Sequence, residues 1–215
     1  DGIDSCRKIC ILTALAFGQL VPVNTIYTEG IRGITSLDVE NAEAVGYSIK
    51  LIGRSIRDEK GRLRIMVSPC LVSQDNPLSH IDDVYNGIMV KGNYIGDVMF
   101  YGRGAGALPT ASAVVADIIN IAVGSASSMK PWKQATPEVL GSMDSFVAAS
   151  YICVKEVAAA AGFIKDCFGE VRMIPSAKKG TLAFITPSMT EVEAKEKISI
   201  LETIGASLIS RIRVL

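Results

Sequence analysis

Apolar and polar positions alternate along this chain in two different rhythms. From Ile9 to Phe17 only Thr13 is polar, which predicts a helix over Ile3–Phe17 that is apolar nearly all round and deeply buried. Asp1 is placed to cap it, Asp4 suits the positive end of its dipole, and Gly18 stops it. A second helical stretch is expected from Thr35 to about Arg57, with Ile49, Leu51 and Ile52 leading towards a strand. Arg62–Leu71 reads as a strand with Pro69 towards its end. Ile88–Val90 and Asp97–Tyr101 read as two strands joined through Gly92 and Asn93. A glycine-rich turn, Gly102 to Gly106, then precedes a helix opened by Pro109 and running to about Val123.

Beyond a Ser-, Lys- and Pro-rich stretch at 124–137 the pattern changes. Strands are expected at Tyr151–Val154, Val171–Ile174, Thr181–Ile185 and Leu208–Leu215. Helices are expected at Ala158–Phe168 and Thr190–Ile204, the second with a Thr190/Glu193 capping box and Gly205 closing it. The order βαββαβ is a split βαβ unit of ferredoxin-like type. The fold class is therefore α+β. Its expected organisation is a mixed-sheet domain over 1–123, a linker over 124–149 and a βαββαβ domain over 150–215.

Charge and composition narrow the function. Lys plus Arg and Asp plus Glu both number 22, so the basic excess of a nucleic-acid-binding or anionic-membrane surface is missing. The apolar fraction is 49%, yet Thr13 and Gln19 interrupt one long apolar stretch and Ser112, Asp117 and Asn120 another. Neither reaches the ~18 continuous apolar residues of a membrane span. The apolar surplus points instead to a buried sheet and a subunit interface. Five scattered cysteines, no Cys-x-x-Cys pair and a single histidine (His80) argue for free thiols in a reducing cytoplasm and against a metal site.

Two constellations could carry chemistry. Asp4 and Lys8 are four residues apart and share a helix face that Ile11 and Leu15 continue. Such a pair is either a solvated surface bridge or, where a buried helix emerges from its core, a lysine suited to proton transfer. The second is Gly102–Thr110. Glycines before a helix start bring backbone N–H groups to an anion, with the helix dipole behind them. Gly102, Gly104 and Ala107 match the dinucleotide fingerprint only weakly, and Asp117 comes too early for its ribose-binding acid. A tight structural turn and a phosphate contact both remain open readings of this segment.

These residues resemble a known family. Gly2-Ile3-Asp4-Ser5-Cys6-Arg7-Lys8 resembles the latter half of the homoserine dehydrogenase signature, Gly-x-Asp-x-x-x-Lys. Glu29-Gly30-Ile31 with Ile34 and Asp38, then Ile49-Lys50-Leu51 and Asn86, resemble its later blocks. The run Gly102 to Val114, with Asp117 following, resembles its terminal motif. Residues from about 150 to 215 are similar to the ACT domain of many bacterial members.

The resemblance implies an enzyme, an NAD(P)-dependent oxidoreductase interconverting L-homoserine and L-aspartate 4-semialdehyde in cytoplasmic threonine and methionine biosynthesis. It implies that Lys8 is the general acid or base and that Asp4 orients the reacting group. It places Gly106 against the nicotinamide nucleotide, NADP or NAD, with Gly104, Ala105 and Thr110 nearby. It also implies a homodimer or higher homo-oligomer, and a nucleotide-binding domain upstream of Asp1 that holds the remaining contacts and without which this stretch is inactive. One departure concerns the ACT resemblance. Ala158–Ala161 replaces the usual acid- and proline-containing effector turn before Gly162, so a weak response to threonine is expected. The rival reading is a non-catalytic oligomerisation and amino-acid-sensing module. Another semialdehyde enzyme is a third, but such enzymes lack the terminal motif.

Overall fold

The computed structural model describes residues 1–125, 132–157 and 160–215. The elements begin with α1 (Ile3–Phe17), β1 (Gln19–Leu20), β2 (Tyr27–Thr28), α2 (Ser36–Glu43), β3 (Tyr47–Arg57) and β4 (Leu63–Ser73). Next come β5 (Tyr85–Gly92), β6 (Gly96–Arg103) and α3 (Ala107–Ala122). After these are β7 (Lys133–Gln134), β8 (Val147–Ala148), β9 (Ser150–Lys155) and α4 (Ala160–Phe168). The last are β10 (Arg172–Ile174), β11 (Thr181–Ile185), β12 (Met189–Thr190), α5 (Glu191–Thr203) and β13 (Leu208–Val214). The chain divides into two compact units, one of Asp1–Gln74 with Trp132–Leu215, the other Asp75–Pro131.

The first unit is built on a mixed sheet. Along β10-β11-β9-β13 the pairing is antiparallel throughout, which is the strand order of a ferredoxin-like βαββαβ module. β13 then pairs parallel with β4, so the module's sheet runs on into the strands of residues 47–73. β3 pairs antiparallel with the whole of β4, from Tyr47 opposite Ser73 to Arg57 opposite Leu63. β2 and β13 share the other edge of β4, at Met66–Val67 and Cys70–Leu71 respectively. The compact units thus follow this shared sheet, and their limits differ from the 1–123 and 150–215 division expected from sequence.

Three apolar clusters hold the layers. α1 lays Cys6, Ile9 and Cys10 on Leu63, Ile65 and Val67 of β4. α2 and the adjoining turn cover Leu71, Tyr151, Cys153 and Ile212. α4 and α5 cover the opposite face of β9 through Ile152, Val154, Ile164, Phe184 and Leu201. The alternation of Tyr151 and Cys153 with Ile152 and Val154 is the period of two expected of a strand buried on both faces.

Several expectations need correction. Asp1 does not cap α1. Gly2 is the N-cap at φ 79°, and Asp1 instead forms an ion pair with Arg32. α1 is buried on one face only: Ile3, Ile11 and Leu15 are more than half exposed, because the sheet covers just the side carrying Cys6, Ile9, Cys10, Thr13 and Ala14. The second helix stops at Glu43. Gly46, at φ 81°, turns the chain, and eleven ladder pairs with β4 outweigh the helical pattern of residues 47–57. Pro69 lies inside β4. Its missing donor falls between Val67, which accepts from Glu29 N, and Leu71, which accepts from Leu215 N, at the junction of β2 and β13 where no ladder bond is lost.

In the second unit β5 and β6 form a regular hairpin, from Tyr85 opposite Arg103 to Gly92 opposite Gly96. α3 follows directly, starting at Ala107, two residues before Pro109. None of its residues is buried. Residues 158–159 of the alanine run, and 126–131 of the expected linker, lie outside the described residues.

Candidate functional site

The expected acid–base pair forms on the exposed face of α1. Lys8 Nζ lies 2.8 Å from Asp4 Oδ2, one helical turn away, with side-chain exposures of 57% and 78%. A bridge this exposed adds at most ~1 kcal/mol to stability. The two charges stand at the head of a stripe whose next members, Ile11 and Leu15, are also exposed. The start of this helix is set by backbone packing. Gly2 needs its positive φ, and a Cβ there would lie 3.0 Å from Thr28 Cγ2 and 3.3 Å from the Glu29 carbonyl. A Cβ on Gly30 would lie 2.7 Å from Asp1 Cα. Residues 28–30 therefore press on residues 1–2, just ahead of Asp4.

The second expected segment belongs to the other unit. Gly106 is the N-cap of α3 at φ 126°, ψ 160°, a conformation that L side chains rarely adopt. No side chain caps α3, so the positive end of its dipole is left to other partners. Thr110 N donates to Gly106 O within the first turn. Gly104 N donates to Val84 O, and a Cβ at Gly104 would lie 1.9 Å from Asn86 Nδ2. Asn86 and Gly104, both named from sequence, are thus in direct contact. Ala105 lies between the two glycines in the same exposed turn. The turn thus combines one glycine whose Cβ would clash with Asn86, one glycine in a conformation that L side chains rarely adopt, and a helix start with no side-chain cap.

Two buried polar clusters escaped the sequence reading. In one, Asp38 and Tyr151, both fully buried, join α2 to the sheet. Asp38 Oδ1 accepts from Tyr151 Oη at 3.1 Å and from Ser210 Oγ, and Oδ2 accepts from Thr35 N and Oγ1 at 2.9 and 2.7 Å. Asn41 Nδ2 donates to Tyr151 Oη at 3.0 Å, and burial pushes the phenol's pKa up. In the other, Arg213, on β13, donates through Nε to Glu191 at 2.8 Å and through Nη1 to Glu29 at 2.8 Å. Arg211 forks onto the same Glu191 at 3.0 and 3.1 Å. Burial pushes the Glu191 carboxyl up, but the two guanidiniums overcome it and hold it below its ordinary range. Only residue spacing was available to find these partners, and Glu29 and Arg213 are 184 positions apart.

A cavity of about 410 Å³ opens beside Val21, Asn24, Tyr27, Ile65 and Gly141, and none of the expected site residues lines it. Among the described residues no cluster of His, Cys, Asp or Glu could hold a metal ion.

Comparison with known proteins shows what the chain is similar to. Residues 1–119 match the homoserine dehydrogenase family. The homoserine dehydrogenase of Synechocystis is 46% identical over 125 residues, 56% of this chain and 29% of that protein. That of Neisseria gonorrhoeae is 45% identical over 122 residues, 57% of this chain and 28% of that protein. The crystal structure of a homoserine dehydrogenase from Thiobacillus denitrificans superposes on the whole chain with a TM-score of 0.80 at 30% identity, covering 53% of that structure's chain. The chain thus spans less than a third of these curated relatives in sequence and about half of the solved structure.

Proposed function

The chain belongs to the homoserine dehydrogenase family, and we propose that it forms the substrate-side part of an NAD(P)-dependent enzyme that interconverts L-homoserine and L-aspartate 4-semialdehyde. The observation that carries this reading is the Asp4–Lys8 pair at the start of α1, inside the matched stretch. NAD(P), held in part at Gly106 and Thr110, would supply the hydride acceptor for oxidation of the alcohol carbon and the hydride donor for the reverse reduction. Lys8, as general base, takes the proton of the substrate hydroxyl as the carbonyl forms. In reduction the Lys8 ammonium gives that proton back to the oxygen. Asp4, 2.8 Å from Nζ, holds the amine on the outward face of α1 and orients it towards the hydroxyl.

Gly106 and Thr110 at the start of α3, with Gly104 and Ala105 before them, are the residues of this chain that would lie against the nucleotide. Their fit rests on the positive φ of Gly106 and on the uncapped helix start. NADP and NAD both satisfy this set.

The same proposal includes a homodimer or higher homo-oligomer. α3 leaves Leu108 84%, Ile118 59% and Ile121 68% exposed, and the adjoining hairpin exposes Tyr94, Ile95 and Phe100. Exposed large apolar side chains in this number favour an interaction site. The βαββαβ module is ACT-like in this reading, with threonine a poor effector. The proposal also takes over the cytoplasmic location that the family resemblance implies. The test is homoserine-dependent reduction of NAD(P) by the purified full-length protein, with absence of turnover by both nucleotides counting against the proposal.

A further inference from the structure

We propose that Arg213 is a positioning residue. Through Glu29 it fixes the strand on which the first turn of α1 rests, and so couples the βαββαβ module to Asp4 and Lys8. The catalytic part of this inference rests on the function proposed above; the mechanical part does not.

The argument starts from the period of two in an extended chain. In residues 27–30 the even positions face α1. Thr28 Cγ2 and Gly30 lie against Gly2 and Asp1 so closely that added Cβ atoms would collide. The odd positions, Tyr27 and Glu29, face the other way, onto Arg213. The guanidinium lies 4.9 Å from the centre of the Tyr27 ring. Its Nη1 donates to Glu29 Oε2 at 2.8 Å, its Nη2 donates to Tyr27 Oη at 3.3 Å, and Tyr27 Oη donates to the same Glu29 oxygen at 3.0 Å. One segment is therefore held from behind by Arg213 and supports the helix start in front.

The other end of the coupling is Glu191, the first residue of α5. It is 3% exposed and receives both Nε and Nη2 of Arg213. Arg213, itself 5% exposed, makes hydrogen bonds from all three of its nitrogens. Its planar fork can serve Glu29 and Glu191 at once, whereas an ammonium is a single point with no such span. A displacement of the α5 start has a direct route to Glu29, and from residues 28 and 30 to the base of α1. Stability alone would be served as well by apolar packing at this position. Here the fork joins β13 of the module to the segment that abuts the acid–base helix.

The experiment uses the full-length protein with Arg213→Lys, Glu29→Gln, their double variant, and Tyr151→Phe as a control in the separate Asp38 cluster. Amide hydrogen exchange is read over residues 3–8, alongside kcat and the KM for homoserine. The expected result is exchange over residues 3–8 about tenfold faster and kcat about tenfold lower in Arg213→Lys and in Glu29→Gln, with the KM for homoserine little changed. The double variant should be no worse than either single one. Tyr151→Phe should leave exchange over residues 3–8 as in wild type. Should Arg213→Lys fail to fold, Glu29→Gln, nearly isosteric with the native residue, carries the test. Wild-type exchange over residues 3–8 in the folded variants overturns the coupling, and faster exchange with unchanged kcat overturns the positioning role. If the wild-type protein oxidises no homoserine, the proposed activity fails, and the exchange measurement alone decides whether Arg213 holds α1.

Discussion

Replacing Asp38 by alanine should unfold the first unit more readily than any single loss of an exposed charge. The carboxylate accepts four hydrogen bonds, from Tyr151 Oη, Ser210 Oγ, Thr35 N and Thr35 Oγ1. Thr35 is at the surface end of α2, where water can replace the lost acceptor. The Tyr151 and Ser210 hydroxyls are buried and would be left without one, at roughly 1–3 kcal/mol each. Loss of the capping box at the start of α2 adds about 0.5–1 kcal/mol. Relief of the carboxyl group's own burial offsets part of this, so the expected cost is about 3–4 kcal/mol, within the sum of two unsatisfied hydroxyls and a lost cap. That corresponds to a fall in Tm of about 10 °C for a protein of this size. Asp38→Asn keeps one acceptor oxygen and should cost about 1–3 kcal/mol. Chemical denaturation of the full-length protein, followed by circular dichroism, measures both, and a double-mutant cycle with Tyr151→Phe should give a coupling of about 1–3 kcal/mol. An Asp38→Ala protein within about 1 kcal/mol of wild type would refute the reasoning, since two buried hydroxyls would then have lost an acceptor at almost no cost.

Other outcomes follow from the same geometry. Glu191 titrates below its ordinary value of 4.5 in the folded protein, so the stability it contributes is present above that pH and is lost as pH falls through its depressed value. Glu191→Gln should therefore flatten the acid limb of the stability curve below about pH 4.5, and an unchanged limb would contradict the ion-pair assignment. Burial holds the Cys10 thiol at about 11, and Cys6, Cys70 and Cys153 are also buried. A thiol titration at pH 8 should find at most Cys167 reacting quickly in the native chain and all five cysteines after denaturation. Gly106→Ala forces a side chain into φ 126°, a strain of about 1–3 kcal/mol, and should weaken NAD(P)H binding to the full-length protein by about tenfold in a fluorescence titration. Threonine at millimolar concentration should leave turnover within about twofold of the uninhibited rate, a limit set at roughly 0.4 kcal/mol of coupling and below the usual allosteric range; strong inhibition would contradict the reading of threonine as a poor effector.

The parts legible in sequence are those whose signal is local. α1 and its Gly18 stop, the hairpin of β5 and β6, the Thr190 capping box and the βαββαβ order all come from residues within a few positions of each other. Asp4 and Lys8 were readable because a helix brings i and i+4 together. What escaped depends on pairings between distant segments. The helical pattern of residues 47–57 lost to an eleven-residue ladder with β4, which no window of that length contains. The exposure of Ile11 and Leu15 is not legible in the sequence, because composition reports that a helix is apolar and does not report how many of its sides are covered. Arg213 and Glu191 look like ordinary surface charges in the sequence, and only the parallel pairing of β13 with β4 brings them to Glu29. Asp38 lies in a stretch that carries the family resemblance, but its partners Tyr151 and Ser210 lie more than a hundred residues away.

The central claim is that Lys8 moves the proton of the substrate hydroxyl. The most direct measurement is steady-state turnover of the full-length protein with Lys8→Ala, using L-homoserine and NAD(P) and checking the fold by circular dichroism. The account predicts a kcat lowered by about 100-fold or more, the range for losing a positioned acid–base group, with cofactor affinity nearly unchanged. Lys8→Arg should fail similarly, because a guanidinium does not release its proton. A folded Lys8→Ala protein with kcat within about twofold of wild type would contradict the account and reduce the Asp4–Lys8 pair to an exposed salt bridge.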